Sequence, residues 1–105
     1  MDFDWQLAAE LKKLPPAATL MMDCGAHPGA VQMAGIPFRR VLRESNPPYW
    51  ETALSQPAQS ADYVIAIDGD SVSLAVRLFP RGLDPVATVG TPGQARAAIY
   101  RSVHR

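Results

Sequence analysis

The run Tyr63-Val64-Ile65-Ala66-Ile67 most constrains what this chain can become. Five consecutive apolar residues, bounded by Asp62 and by Asp68-Gly69-Asp70, are too few for a buried helix. They fit a strand covered on both faces. Such a strand needs partners beside it and helices above and below it, which asks for an α/β architecture.

The rest of the chain supplies those partners. Phe3, Leu7, Leu11 and Leu14 make a one-sided helical stripe, with Asp2 or Asp4 to cap it and Pro15-Pro16 to stop it. Ala17 to Met22 reads as a short apolar strand. Pro28 suits the first position of a brief helix that Gly35 and Pro37 close. Arg39 to Leu42 predicts a second strand. Ser45 or Asn46 then caps a helix that buries Trp50, Ala53 and Leu54 and ends at Pro57. Ala58 to Asp62 reads as a loop. Beyond the turn at Asp68-Gly69-Asp70, the residues Val72, Ala75, Val76 and Phe79 form another helical stripe, terminated by Pro80-Arg81-Gly82. Pro85 to Val89 and Ala95 to Val103 predict a hairpin around a type II turn at Thr91-Pro92-Gly93-Gln94, with Ala97 and Ile99 on one face.

Strands that alternate with helices imply right-handed crossovers. The expected fold is one α/β domain spanning residues 1–105. It is a three-layer sandwich: a mostly parallel sheet of about five strands with a C-terminal antiparallel hairpin.

Composition bounds the function. At 105 residues there is no room for a second core. With 48% hydrophobic and 19% charged residues the chain can bury a core and is no disordered tail. Lys+Arg 10 balances Asp+Glu 10, which argues against a binder of nucleic acid, since that needs a basic surplus. The lone Cys24 excludes an intrachain disulfide and a cysteine zinc cluster. No apolar run approaches the roughly 20 residues of a membrane span. The acidic start Met1-Asp2-Phe3-Asp4-Trp5 is unlike a secretory signal, so the chain reads as soluble.

In an open α/β sheet, ligands bind beyond the carboxyl ends of the strands. Two loops there carry suitable side chains, Asp23-Cys24-Gly25-Ala26-His27 and Asp68-Gly69-Asp70-Ser71. If their strands are neighbours, Asp23, Cys24, His27, Asp68 and Asp70 line one ligand site. Asp23, Asp68 and Asp70 would then be oxygen ligands for Mg²⁺ or Mn²⁺. Cys24 beside a strand end, with His27 as base, is a nucleophile candidate, although a lone cysteine is more often a buried apolar residue.

The segment Ile65-Ala66-Ile67-Asp68-Gly69-Asp70-Ser71-Val72 resembles the first motif of haloacid-dehalogenase-type phosphatases, in which the first Asp is nucleophile and the second general acid. Asp84 is the only acid after Asp70, and no Lys follows Lys13, so the later motifs of that family are missing. The same gap defeats a receiver-domain reading. An Asp-x-Asp sugar-nucleotide transferase would require a longer catalytic domain. The plainer assignment makes Asp70 the cap of the following helix and Asp68-Gly69 its turn. Arg39, Arg40 and Arg43 form the one local basic cluster. It suits either an anion or a solvated edge ion-paired with Glu44 and Glu51. Tyr49 and Trp50 are expected to pack on the sheet; exposed, they would mark a partner surface.

The larger string carries a family resemblance. Gly29-Ala30-Val31-Gln32-Met33-Ala34-Gly35-Ile36-Pro37 is followed by Arg39-Arg40-Val41-Leu42-Arg43-Glu44-Ser45-Asn46. Trp50, Ala53-Leu54, Pro57, Ala61-Asp62-Tyr63-Val64-Ile65-Ala66 and Asp68-Gly69-Asp70 complete it. From about Trp5 to Arg101 it resembles the soluble C-terminal domain that follows the transmembrane bundle of some bacterial multi-span glycosyltransferases. That group is similar to the dolichyl-phosphate-mannose–protein mannosyltransferases and aminoarabinose transferases. The resemblance implies an accessory module on the extracytoplasmic face, partnered by the membrane portion and touching acceptor or lipid-linked donor. It carries over no catalytic residue, because the family's catalytic acids lie in the membrane portion.

A non-catalytic accessory or interaction domain is therefore the leading expectation. The alternative is a small domain that binds a divalent metal or a phosphate ligand, or a phosphatase-like enzyme using Asp68 and Asp70, which would be soluble in the cytoplasm. A homo-oligomer through the Arg39–Leu42 edge or the terminal hairpin is the third.

Overall fold

The computed structural model describes residues 3–25, 27–45, 47–91 and 96–103. In chain order the elements are α1 (Phe3–Leu11), β1 (Leu20–Met22), α2 (Pro28–Met33), a 3-10 turn (Phe38–Arg40) and β2 (Val41–Leu42). There follow α3 (Pro47–Ser55), α4 (Pro57–Ser60), β3 (Tyr63–Ile67), α5 (Ser71–Leu78), β4 (Leu83–Val89) and β5 (Ala97–Ser102). No described helix is long and apolar enough to cross a membrane.

The five strands form one sheet in the order β2-β1-β3-β5-β4, with the apolar run β3 at its centre. β1 runs parallel to both β2 and β3, whereas β5 is antiparallel to both β3 and β4. The sheet is thus mixed, and the expectation of a mostly parallel sheet is corrected. The cause lies in the hairpin. A short connection can join β4 to β5 only as antiparallel neighbours. Of the two strands, β5 carries the buried residues Ala97 and Ile99, while β4 is largely exposed. Burial draws β5 inward against β3, with Ile65 opposite Ile99 and Ile67 opposite Ala97, and leaves β4 as the edge. Pro85 and a register irregularity between Pro85 and Ala87 interrupt the ladder of that edge strand.

Side chains of a strand alternate between faces, and so do the two clusters of buried residues. Leu20, Met22, Ile65, Ile67 and Ile99 pack with Leu7 and Leu11 of α1 and with Ala30 and Val31 of α2. Met21, Val64 and Ala66 pack with Trp50 and Ala53 of α3 and with Val72 and Val76 of α5.

Several boundaries differ from the sequence expectation. The helix α1 stops at Leu11, although Leu14 still packs on the core. Only Leu20 to Met22 of the expected Ala17–Met22 strand is extended. Thr19 is instead taken up by Asp62, whose Oδ2 accepts from Thr19 N at 2.9 Å and from its Oγ1 at 3.2 Å. Arg39 and Arg40 lie in the 3-10 turn, so β2 is two residues long. The loop expected at Ala58–Asp62 contains α4, with Pro57 at its first turn. The Asn46 part of the expected α3 cap and the Pro92-Gly93-Gln94 turn lie outside the described residues.

Candidate functional site

Because β1 and β3 are parallel neighbours, the loops at their carboxyl ends meet. Asp23, His27, Ile67, Asp68, Gly69 and Asp70 line a cavity of about 240 Å³ there. Four of the five residues singled out from sequence are thereby brought together. Cys24 is not among them.

Each side chain is held by a local device. Asp23 Oδ1 accepts from Gly25 N at 3.1 Å, and its Oδ2 accepts from Ser71 Oγ at 3.1 Å. This carboxylate therefore ties the β1 loop to the first residue of α5. His27 Nδ1 sits 2.8 Å from Asp4 Oδ1, and its ring meets the Phe3 ring at a centroid distance of 4.9 Å, tilted by 59°. Two residues of α1 thus set the orientation of the imidazole. Gly69 adopts φ 86°, a left-handed conformation that a Cβ would strain, and so turns the chain tightly between Asp68 and Asp70.

Asp70 is the N-cap of α5. Its Oδ1 accepts from Ser73 N at 2.7 Å, as the plainer sequence assignment expects. Its Oδ2 is buried and has no hydrogen-bond partner among the described residues. Burial pushes the Asp70 carboxyl above its ordinary value, the Ser73 N–H opposes that, and the nearby Asp23 carboxylate adds to it.

Two observations bear on what these residues can do. First, among the described residues no three His, Cys, Asp or Glu side chains are grouped to hold a metal ion. Both Asp23 carboxylate oxygens and Asp70 Oδ1 are already engaged, with Gly25, Ser71 and Ser73. Second, Cys24 is only 5% exposed and belongs to the core against α1 and α2. Burial, aided by Glu44, pushes its thiol up from 9.0 to about 11, which leaves it protonated and a poor nucleophile.

The arginine cluster also departs from the ion-paired edge. Glu44 Oε2 accepts from Cys24 N at 2.9 Å. Arg43 lies over the Phe38 ring, 4.5 Å from its centroid. Among the described residues neither Arg39 nor Arg40 makes an ion pair.

Sequence reasoning missed one surface. The sequence places Phe79 in the helical stripe of α5, yet it follows the helix and is 44% exposed. Leu74 is 52% and Leu78 61% exposed. Together with the half-buried Leu54 they edge an open groove between α3 and α5. The signal was present: Leu74 and Leu78 are four residues apart and lie off the Val72-Ala75-Val76 face.

A scan against protein-family models finds no match, and searches of the curated proteins and of the solved structures find none.

Proposed function

We propose that this chain is a non-catalytic interaction domain, built as a three-layer α/β sandwich, that docks through the α3–α5 face. The observation that carries the reading is the contiguous exposure of Leu74, Leu78 and Phe79, large apolar side chains clustered on one side of a small domain. Isolated exposed leucines need no partner; a group of three beside a groove favours one. The resemblance supplies the partner: the membrane-embedded portion of a glycosyltransferase-like protein, with this domain on its extracytoplasmic face.

The state of the carboxyl-end crevice supports the same view. Asp70 is engaged as a cap, Asp23 as a tether and Cys24 as core, which leaves His27 and Asp68 without a complete catalytic set. Fractionation of source cells with an antibody to this domain tests the assignment. The antigen is expected in the membrane fraction, on a polypeptide well above 11.4 kDa. A free 11.4 kDa species outside the membrane fraction overturns it.

A second reading rests on the crevice itself. Asp23, His27, Asp68 and Asp70 do line one cavity, as a ligand-binding domain would require. Thermal melting with Mg²⁺, Mn²⁺ or phosphate at millimolar concentration discriminates, because a ligand of the folded state raises Tm. An unchanged Tm with all three removes this reading.

A further inference from the structure

The opposite end of the sheet holds a larger cavity, about 530 Å³, between the edge strand β2 and α3. Its wall carries Arg39, Arg40, Tyr49, Thr19, Thr52 and Ser60. Three features give it a definite chemistry. Arg40 is fixed: its Nε donates to Ala18 O at 2.9 Å and its Nη2 to Pro15 O at 3.1 Å. Carbonyls orient the guanidinium but do not neutralise it, and no carboxylate among the described residues pairs with it. Arg39, its neighbour, is exposed and has no ion-pair partner among the described residues either. Two adjacent uncompensated cations at one wall call for an anion with several oxygens, which the guanidinium fork engages through charge-assisted hydrogen bonds.

Tyr49 adds the second feature. It lies at the start of α3, 73% exposed, where its neighbour Trp50 is buried in the core. A ring so placed beside a cationic pocket offers a flat apolar wall to the organic part of a ligand. The third feature is the set of hydroxyls. Thr52 Oγ1 donates to Pro48 O at 3.3 Å and Ser60 Oγ to Gln56 O at 2.7 Å, so these two groups already spend their protons on carbonyls. Anion recognition falls to the arginines.

We propose that this cavity binds the phosphate group of a small phosphate ester, with Arg39 and Arg40 on the phosphate oxygens and the Tyr49 ring against the esterified group. The site is distinct from the carboxyl-end crevice and from the α3–α5 groove, so it stands whether or not the docking assignment holds. The phosphate comes either from a soluble ester or from a lipid headgroup.

Calorimetric titration of the purified chain at low salt, with inorganic phosphate and with phenyl phosphate, tests the proposal. Flotation with vesicles containing phosphatidic acid is the second arm. Phenyl phosphate is expected to bind about tenfold tighter than inorganic phosphate, the difference being the ring contact with Tyr49. Tyr49→Ala should bring the two ligands to equal affinity. Arg39→Glu, at an exposed position, should abolish both without altering the circular dichroism spectrum. Added salt should weaken binding, because the anion and Arg39 meet at the surface. Vesicle binding that Arg39→Glu abolishes, without binding of the soluble esters, assigns the phosphate to a lipid. Binding that survives Arg39→Glu, or none in either arm at millimolar phosphate, overturns the proposal. Equal affinities of the two soluble ligands for the unaltered chain overturn the role of Tyr49.

Discussion

Asp4 Oδ1 and His27 Nδ1 lie 2.8 Å apart and join the first turn of α1 to the loop that opens α2. The pair spans 23 residues of sequence and is partly buried, with the Phe3 ring against the imidazole. It fixes the imidazole at the rim of the carboxyl-end cavity and docks α1 against α2.

Asp4→Ala should therefore loosen the loop around His27 rather than unfold the domain. A partly buried, partly solvated pair of this kind contributes about 1 kcal/mol or less. Urea denaturation should show a small drop in midpoint with an unchanged slope. Amide hydrogen exchange should rise at residues 23–30 but not in β3. Equal acceleration throughout would show that the contact has no local role.

Asp70 separates a cap from a charge. Asp70→Ala removes the acceptor for Ser73 N and should cost about 1 kcal/mol. Asp70→Asn keeps an oxygen for Ser73 N and removes a buried charge beside Asp23, so its loss at neutral pH should be smaller. The sign with pH follows from the raised carboxyl. Its contribution to stability is present below the ordinary 3.8 and is lost as pH rises through the higher value of the folded state. Unaltered protein should lose ground against Asp70→Asn as acid is neutralised, read as the difference in urea midpoints. A gap that widens in the opposite sense would contradict the burial of this carboxyl.

Cys24 gives the alkaline counterpart. Its thiol ionises near 9.0 when unfolded and at about 11 in the folded chain. Between those values the unfolded chain has released a proton that the folded chain retains, so stability present below 9.0 falls as pH rises toward 11. The advantage of the unaltered protein over Cys24→Ala should shrink across that window. At neutral pH, native Cys24 should react with a disulfide reagent far more slowly than in urea. Rapid native labelling would place the thiol at the surface and reopen it as a nucleophile.

Much of the fold is legible in the chain because short-range chemistry agrees with it. Tyr63–Ile67 is the strand its apolar run predicts, and Gly35 ends α2 at φ 72°. Asp70 caps α5 where an aspartate precedes a helical stripe. Where the reading failed, a tertiary partner outbid the local signal. Thr19 left the strand pattern for Asp62, 43 residues away. Pro57, taken as a stop, also starts α4, because its missing N–H costs nothing in a first helical turn.

The candidate sites divide in the same way. Residue types alone named Asp23, His27, Asp68 and Asp70, and the rule that ligands gather at the carboxyl ends of strands placed them together. Whether they met depended on β1 and β3 being adjacent, which no local pattern encodes. Cys24 and the arginines show the limit most clearly. Only packing turns one cysteine inward, gives Glu44 to a backbone N–H and, among the described residues, leaves Arg39 and Arg40 without carboxylate partners.

By itself the sequence determined one small α/β domain, its central strand, most of its helices and the residues fit for chemistry. These follow from apolar periodicity, turn residues and caps, which act over a few residues. The tertiary structure decided the mixed sheet, the insertion of β5 beside β3 and the exposure of Leu74, Leu78, Phe79 and Tyr49. Those outcomes depend on which apolar faces find cover in a chain too small to cover them all, and that competition is settled only when every element is in place.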